Sequence, residues 1–274
     1  MKEEELTYAR YGLWHYVIPT KQHVSPYSEL QQAGRNLRGL MRILLFKRFE
    51  SSVQAFRLTL ERLRHTHVNF LTTLDAGYIP AGEEAEELLF ETGWDEESDI
   101  SDFLEQIAKA SKRYHSDDFD MARLRTAVEN DCDYLNQMYA LVKDISPESD
   151  DKLRTLRRLL RRKPFNTKKV LIFSQYAETV DYLFKNLKGL VSPQELERVY
   201  SRSENLASVI KRFAPKANPY LPGRSEPSIR VLVGTDVLSE GHNLQDCSVV
   251  INYDLHWNPV RLIQRVGRVD RVTT

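Results

Sequence analysis

Eight residues near the end of this 274-residue chain carry the side chains best suited to phosphate chemistry. Gln264-Arg-Val-Gly-Arg-Val-Asp-Arg271 sets Arg268 and Arg271 three positions apart, so on a helix both guanidinium groups leave the same face. Each planar fork can donate to two oxygens at once, which suits a polyphosphate. Arg265, three positions before Arg268, reads as a structural or coupling arginine. The groups that would cradle the phosphate are not here. A phosphate loop, G-x-x-x-x-G-K-[ST], requires Gly-Lys, and none of the eleven glycines is followed by Lys. Asp95-Glu96-Glu97-Ser98 has the composition of a magnesium-binding acidic box. It follows Gly93-Trp94 inside an acidic run rather than a buried apolar strand, and reads as a solvated loop.

Two further segments gather small polar groups. Ser174-Gln175-Tyr176 directly follows the apolar run Lys169-Val-Leu-Ile-Phe173, and Gly234-Thr-Asp-Val-Leu-Ser-Glu-Gly-His-Asn-Leu-Gln245 follows Ile229 to Val233. Both apolar runs are short enough for strands buried on two faces. Leu196 to Tyr200 and Val249 to Tyr253 complete four predicted strands. Ala177 to Leu187 is a predicted helix with Val180, Leu183, Phe184 and Leu187 on one side. Ser203 to Phe213 is another, opening on Ser203 as N-cap. Pro215 to Pro227 holds four prolines and reads as a loop. Asn258-Pro259 opens the arginine helix, with Asn as N-cap and Pro at the first helical position. Strands alternating with helices predict a parallel α/β sheet with right-handed crossovers. Ligands of such sheets sit beyond the carboxyl ends of the strands, where all three segments would lie.

Before residue 165 the texture is helical. Leu37, Leu40, Leu44, Phe49, Val53, Phe56, Leu60 and Leu63 form one apolar stripe, which predicts a helix over about 28–70 with room for one break. Leu124, Val128, Leu135, Met138, Val142 and Ile145 form a second. Helices this long must bury their apolar faces against each other, as a hairpin or small bundle. Between them Glu83 to Glu105 holds eleven carboxylates and no Lys or Arg, reading as an exposed acidic connection (about 82–108) or a strip for a basic partner. Then Lys152, Arg154, Arg157, Arg158, Arg161, Arg162 and Lys163 interleave with leucines in a basic amphipathic helix over about 151–163. Its cations read either as a solvated face or as nucleic-acid phosphate contacts. It lacks the Trp or Phe of a membrane-surface helix.

Charge cancels overall, so any basic surface is local. No apolar run approaches the length that spans a bilayer, and the acidic start Met1-Lys2-Glu3-Glu4-Glu5 is no signal peptide. Cys132 and Cys247, in no ligand spacing, read as reduced thiols, so a cytoplasmic location is expected. The expected organisation is a helical region, 1–164, and an α/β lobe, 165–274. His242 and Trp257 read as packing groups rather than a metal ligand and a base-stacking platform; no metal site is expected.

The segment from Val170 to Arg271 resembles the second RecA-like lobe of superfamily-two helicases, and within these the SWI/SNF-type ATPases. Val170-Leu-Ile-Phe-Ser-Gln-Tyr176 resembles their motif IV, Val233 to Gln245 motif V, and Gln264 to Arg271 motif VI. Ser-Glu-Gly-x-Asn together with Asp-Leu-x-x-Asn-Pro points to the RapA-like bacterial and archaeal branch. The resemblance covers roughly the last 105 residues and fades over the helical part. It implies that Arg268 and Arg271 reach the γ-phosphate of ATP held on a first lobe, and that Gln264 orients that phosphate or the attacking water. Glu240, Gly241 and Asn243 would meet the nucleotide across the cleft. Ser174, Gln175 and Thr235 would contact a nucleic-acid backbone phosphate or support that contact. ATP and Mg2+ would be bound mainly by the first lobe of a longer parent, and the track would be double-stranded DNA, with RNA as the alternative. The helical region could hold a protein partner, and the chain alone should hydrolyse no ATP. The rival reading is a non-catalytic nucleic-acid- or protein-binding module that keeps the lobe fold.

Overall fold

The computed structural model describes residues 6–75, 78–81, 112–201, 203, 205–219, 227–239, 242–256, 258–267 and 269. The acidic connection and Trp257 lie outside the described residues. The chain divides into two compact units. One comprises Met1–Phe49 with Phe56–Asp144, and the other Glu50–Ala55 with Ile145–Thr274. No helix among the described residues is long and apolar enough to cross a membrane.

The long leucine stripe forms two helices, α1 (Leu30–Ser51) and α2 (Val53–Asp75), interrupted at Ser52. A two-stranded antiparallel ribbon follows, β1 (Tyr78–Ala81) with β2 (Lys112–His115). The second stripe is α3 (Met121–Val142), whose N-cap Asp120 accepts from Arg123 N at 3.1 Å. Helices α2 and α3 are antiparallel. Arg57 near the start of α2 donates Nη2 to the last carbonyl of α3, Val142 O, at 2.9 Å, while Asp75 at the end of α2 pairs with Arg125 near the start of α3. Buried Asp131 on α3 accepts from the backbone N of Thr7 (2.7 Å) and of Ala9 (2.6 Å), which ties the N-terminal segment to the helix.

His67, 2% exposed on α2, has Nδ1 at 2.8 Å from Leu63 O, the geometry of a neutral ring donating to the helix. Burial, helped by the charge of Arg10 and opposed by that backbone bond, lowers its pKa to about 4. The unfolded chain takes up this proton below about pH 6.5, whereas the folded chain resists until about pH 4. Stability from this group is therefore complete above pH 6.5 and lost as pH falls towards 4, by about 3 kcal/mol in all. Urea unfolding followed by circular dichroism should show about 2 kcal/mol less stability at pH 5 than at pH 7 from this cause. His67→Leu should shrink that pH difference by the same amount; an unchanged difference would remove the histidine as its source.

The second unit begins its continuous part with α4 (Asp151–Leu160), capped by Asp150, which accepts from Leu153 N at 3.0 Å. Then come β3 (Val170–Phe173), α5 (Ala177–Leu187), β4 (Leu196–Val199), α6 (Leu206–Phe213), β5 (Val231–Gly234), β6 (Val249–Asn252) and α7 (Pro259–Gly267). All strand pairs of this sheet are parallel, in the order β4-β5-β3-β6, giving the expected parallel α/β sheet. Alternate residues of β3 serve opposite faces, as strand geometry requires. Val170 and Ile172 pack with Leu183 of α5 and Leu156 of α4, while Leu171 and Phe173 pack with Ile210 and Phe213 of α6.

Two details differ from the sequence reading. Helix α6 starts at Leu206, not at Ser203; Ser203 Oγ instead accepts from Tyr200 N at 3.0 Å, so the serine closes a turn. The basic helix, grouped above with the helical region, sits in the second unit, because Leu153, Leu156 and Leu160 are buried in the core of the sheet. Both cysteines are free thiols, and burial pushes the Cys247 pKa upward.

Candidate functional site at the carboxyl edge

The strand register aligns the two edges of the sheet. Phe173 pairs with Gly234 and Asn252, and Val199 with Gly234, so four strand ends finish in one row. Beyond this carboxyl edge lie Ser174, Thr235, Tyr253 and the start of α7, as the alternation of strands and helices predicts. Gly234 has a steric reason to be glycine: a Cβ there would sit 2.4 Å from Leu238 Cδ1 and 3.1 Å from Val199 O.

Helix α7 opens as expected. Asn258 Oδ1 accepts from Val260 N at 3.0 Å and Pro259 takes the first helical position. One arginine anchors the helix. Arg265, with no exposed surface, donates Nε to Asp236 Oδ1 at 2.5 Å and Nη2 to Asp236 Oδ2 at 2.8 Å. Its Nη1 reaches Asn252 Oδ1 at 2.9 Å, and the guanidinium lies 4.9 Å from the Phe173 ring centroid. Thus the first arginine of the run is a bolt between the segment after β5, the end of β6 and α7. Gln264, on the other side of the helix, is exposed. So are Val260, Ile263 and Val266, which leaves the outer face of α7 largely apolar. Arg268, Arg271, Glu240 and Gly241 lie outside the described residues. Asn243 is half-buried, and its carbonyl accepts from Asn218 Nδ2 at 2.7 Å.

Ser174, Gln175 and Thr235 are buried rather than presented to solvent. Asp254 organises the first two. Its Oδ2 accepts from Ser174 Oγ at 2.6 Å and from Ser51 Oγ at 2.6 Å, and its Oδ1 from Gln175 N at 2.9 Å. Gln175 Nε2 donates to Leu255 O at 3.0 Å. Thr179 Oγ1 lies 2.7 Å from both Ser51 Oγ and Ser52 Oγ. Asp254 and Ser51 were missed as site residues. Asp254 stands inside the quoted Asp-Leu-x-x-Asn-Pro phrase, which was its available signal; Ser51 had none.

The basic helix divides into spent and unspent cations. Lys152 Nζ caps the end of α1, donating to Glu50 O at 2.5 Å and Ser51 O at 2.8 Å, and lies 4.2 Å from the Tyr253 ring centroid. Burial lowers its pKa. Arg157 Nη2 donates to Asn186 O at 2.9 Å near the end of α5, and Arg154 pairs with Asp151. Arg157 therefore caps the end of α5 and is half-buried. Arg158, Arg161 and Arg162 are exposed.

Residues 151–273 match the helicase conserved C-terminal domain. The chain is 35% identical over 106 residues to the uncharacterized ATP-dependent helicase YqhH of Bacillus subtilis (strain 168), covering 38% of this chain and 16% of that protein. It is 33% identical over 113 residues to the ATP-dependent RNA helicase dbp8 of Aspergillus clavatus, covering 41% and 20%. This chain thus spans a small part of the length of these relatives. Among solved structures, the C-terminal part of the Fun30 ATPase domain aligns over 70% of this chain and 55% of its own, at 19% identity and a TM-score of 0.37. The segment that matches the helicase conserved C-terminal domain contains the whole four-stranded sheet, Arg265 with Asp236, and Asp254 with Ser174 and Gln175.

Proposed function

We propose that this lobe completes the ATPase cleft of a SWI/SNF-type, nucleic-acid-stimulated translocase of the RapA-like branch. In this reading a first lobe of the parent holds ATP and Mg2+, which supply the phosphoanhydride and the charge that polarises it. Arg268 and Arg271 face the γ-phosphate from this side, Gln264 orients the phosphate or water, and Glu240, Gly241 and Asn243 complete the wall. Ser174, Gln175 and Thr235 shape the strand ends behind a duplex DNA track.

One observation carries the reading. Arg265 fixes α7 at the carboxyl edge with its inner face locked, so the run Gln264 to Arg271 starts from a defined position with Gln264 outward. Fingers contribute only when so positioned, because a displaced guanidinium cannot meet charge developing on the phosphoryl oxygens. The relatives' names add support, since both are called ATP-dependent helicases.

The test is ATP hydrolysis by the parent polypeptide containing this chain, with duplex DNA or single-stranded RNA added. Stimulation by duplex DNA is expected, and no turnover by the 274-residue chain alone. Stimulation by RNA only would replace the DNA track. A parent with an intact phosphate loop that neither hydrolyses ATP nor responds to nucleic acid would favour the non-catalytic module.

A further inference from the structure

We infer that the lobe carries a second nucleic-acid contact on the amino edge of its sheet, facing away from the edge that bears the helicase motifs. The stretch 152–169 holds nine Lys and Arg and no Asp or Glu, within a chain of zero net charge. The fold then sorts these cations. Lys152, Arg154 and Arg157 are engaged as described, and Lys169 Nζ donates to Phe213 O. Arg158, Arg161, Arg162, Lys163 and Lys168 are exposed, and none pairs with a carboxylate among the described residues.

Their position follows from the register. Val170 pairs with Val231 and Val249, and Leu196 with Val231, so residues just before Val170 lie at the amino ends of all four strands. Helix α4 runs against the strands. Its start touches Tyr253 beyond the carboxyl edge, through Lys152, and its end delivers Arg161 to Lys163 at the amino edge. The two edges are separated by the strand length, about 10 Å. The turn between α4 and β3 is well braced. Asn166 N donates to Arg162 O at 3.0 Å, Lys168 N to Pro164 O at 3.0 Å, and Arg230 Nη1 to Phe165 O at 3.2 Å.

Among the described residues near this edge, the acids Asp246 and Glu195 are already engaged. Asp246 accepts from Lys216 N at 2.9 Å and Ala217 N at 3.0 Å, and Glu195 pairs with Arg230 at 3.7 Å. What remains is a held row of guanidinium and ammonium groups over an ordered turn. Arginine-rich surfaces of this kind match phosphodiester oxygens, because each fork can take two at once. The helix and the cations through Lys163 carry no Trp or Phe, and Phe165 packs against the core of the sheet, which sets a lipid surface aside. This contact would hold a nucleic acid whether or not the parent hydrolyses ATP, so its failure leaves the proposed function standing.

The test uses the 274-residue chain and a fluorescein-labelled 20-base-pair duplex, with anisotropy read across a salt series. Four exposed cations are neutralised together: Arg158→Gln, Arg161→Gln, Arg162→Gln and Lys163→Gln. Affinity at low salt should fall by about 100-fold or more, and the slope of log K against log salt should lose about 0.9 for each phosphate contact removed. The matching Arg→Lys set, which retains charge, should keep most of the slope. Duplex should also protect Lys163 and Lys168 from acetylation, read by mass spectrometry. Unchanged affinity and slope in the Gln set, with circular dichroism as in the parent chain, would overturn the inference. So would equal or tighter binding of poly-glutamate or phosphatidylserine vesicles at the same salt.

Discussion

Arg268→Lys in the full-length protein is expected, on the proposed function, to slow ATP turnover by about 10³- to 10⁵-fold, nearly as far as Arg268→Ala. That corresponds to about 4–7 kcal/mol of barrier. Lysine keeps the positive charge but gives up the planar fork, and the fork is what lets one side chain meet two phosphoryl oxygens at fixed geometry. The residue lies one position beyond α7, three after the arginine that anchors that helix. The measurement is single-turnover γ-phosphate release at saturating duplex DNA. A lysine variant within tenfold of the wild type would show that charge alone suffices, and would remove Arg268 from the finger position.

The anchor carries the second large effect. Asp236→Ala is expected to destabilise the second unit by about 3–5 kcal/mol, because it strands a guanidinium that has no exposed surface. Asn252 Oδ1 and the Phe173 ring would remain beside it, but neither carries a neutralising charge. Asp236→Ala with Arg265→Met should recover more than half of the loss, since the double change leaves no buried ion and methionine fills much of the space. Urea unfolding of the four corners of this cycle gives the coupling directly. A loss under about 1 kcal/mol for Asp236→Ala alone would mean that water reaches the pair in solution.

Local patterns reported well where the cause of a structure is local. Helix α5 runs from Ala177 to Leu187 as predicted, because its apolar residues keep helical spacing and nothing competes. The four strands lie where apolar runs stand between turn residues, and Asn258-Pro259 opens α7 because cap chemistry acts within a few residues. The break at Ser52 could be allowed for but not placed. The leucine stripe keeps its phase through that point, and the groups that hold Ser51 and Ser52 are Thr179 and Asp254, far along the chain. The ribbon β1–β2 escaped notice for a related reason: Tyr78-Ile-Pro-Ala is too short to show a period, and its partner comes 31 residues later.

The site was legible as a set of segments but not as a division of labour. Spacing brings Arg265, Arg268 and Arg271 into one run, yet spacing alone does not say which turns inward; Asp236, 29 residues earlier, decides for Arg265. Local sequence does not show what holds Ser174 and Gln175; the Asp254 carboxylate, about 80 residues later, accepts from both. The basic helix showed its charge in sequence, but which cations are free follows only from where the carbonyls of Ser51 and Asn186 fall.

Residues Glu50–Ala55 give this lobe a discontinuous origin. A recombinant fragment cut at residue 145 or 151 would lack Ser51 and Ser52, leaving the Thr179 hydroxyl and the Lys152 ammonium with partners subtracted. Each hydrogen bond so lost costs about 0.5–1.5 kcal/mol, a sizeable share of what a domain of this size has to lose. The lobe should thus be poorly soluble when excised on sequence boundaries alone, and a short peptide spanning 50–55 becomes its natural reagent for fragment complementation.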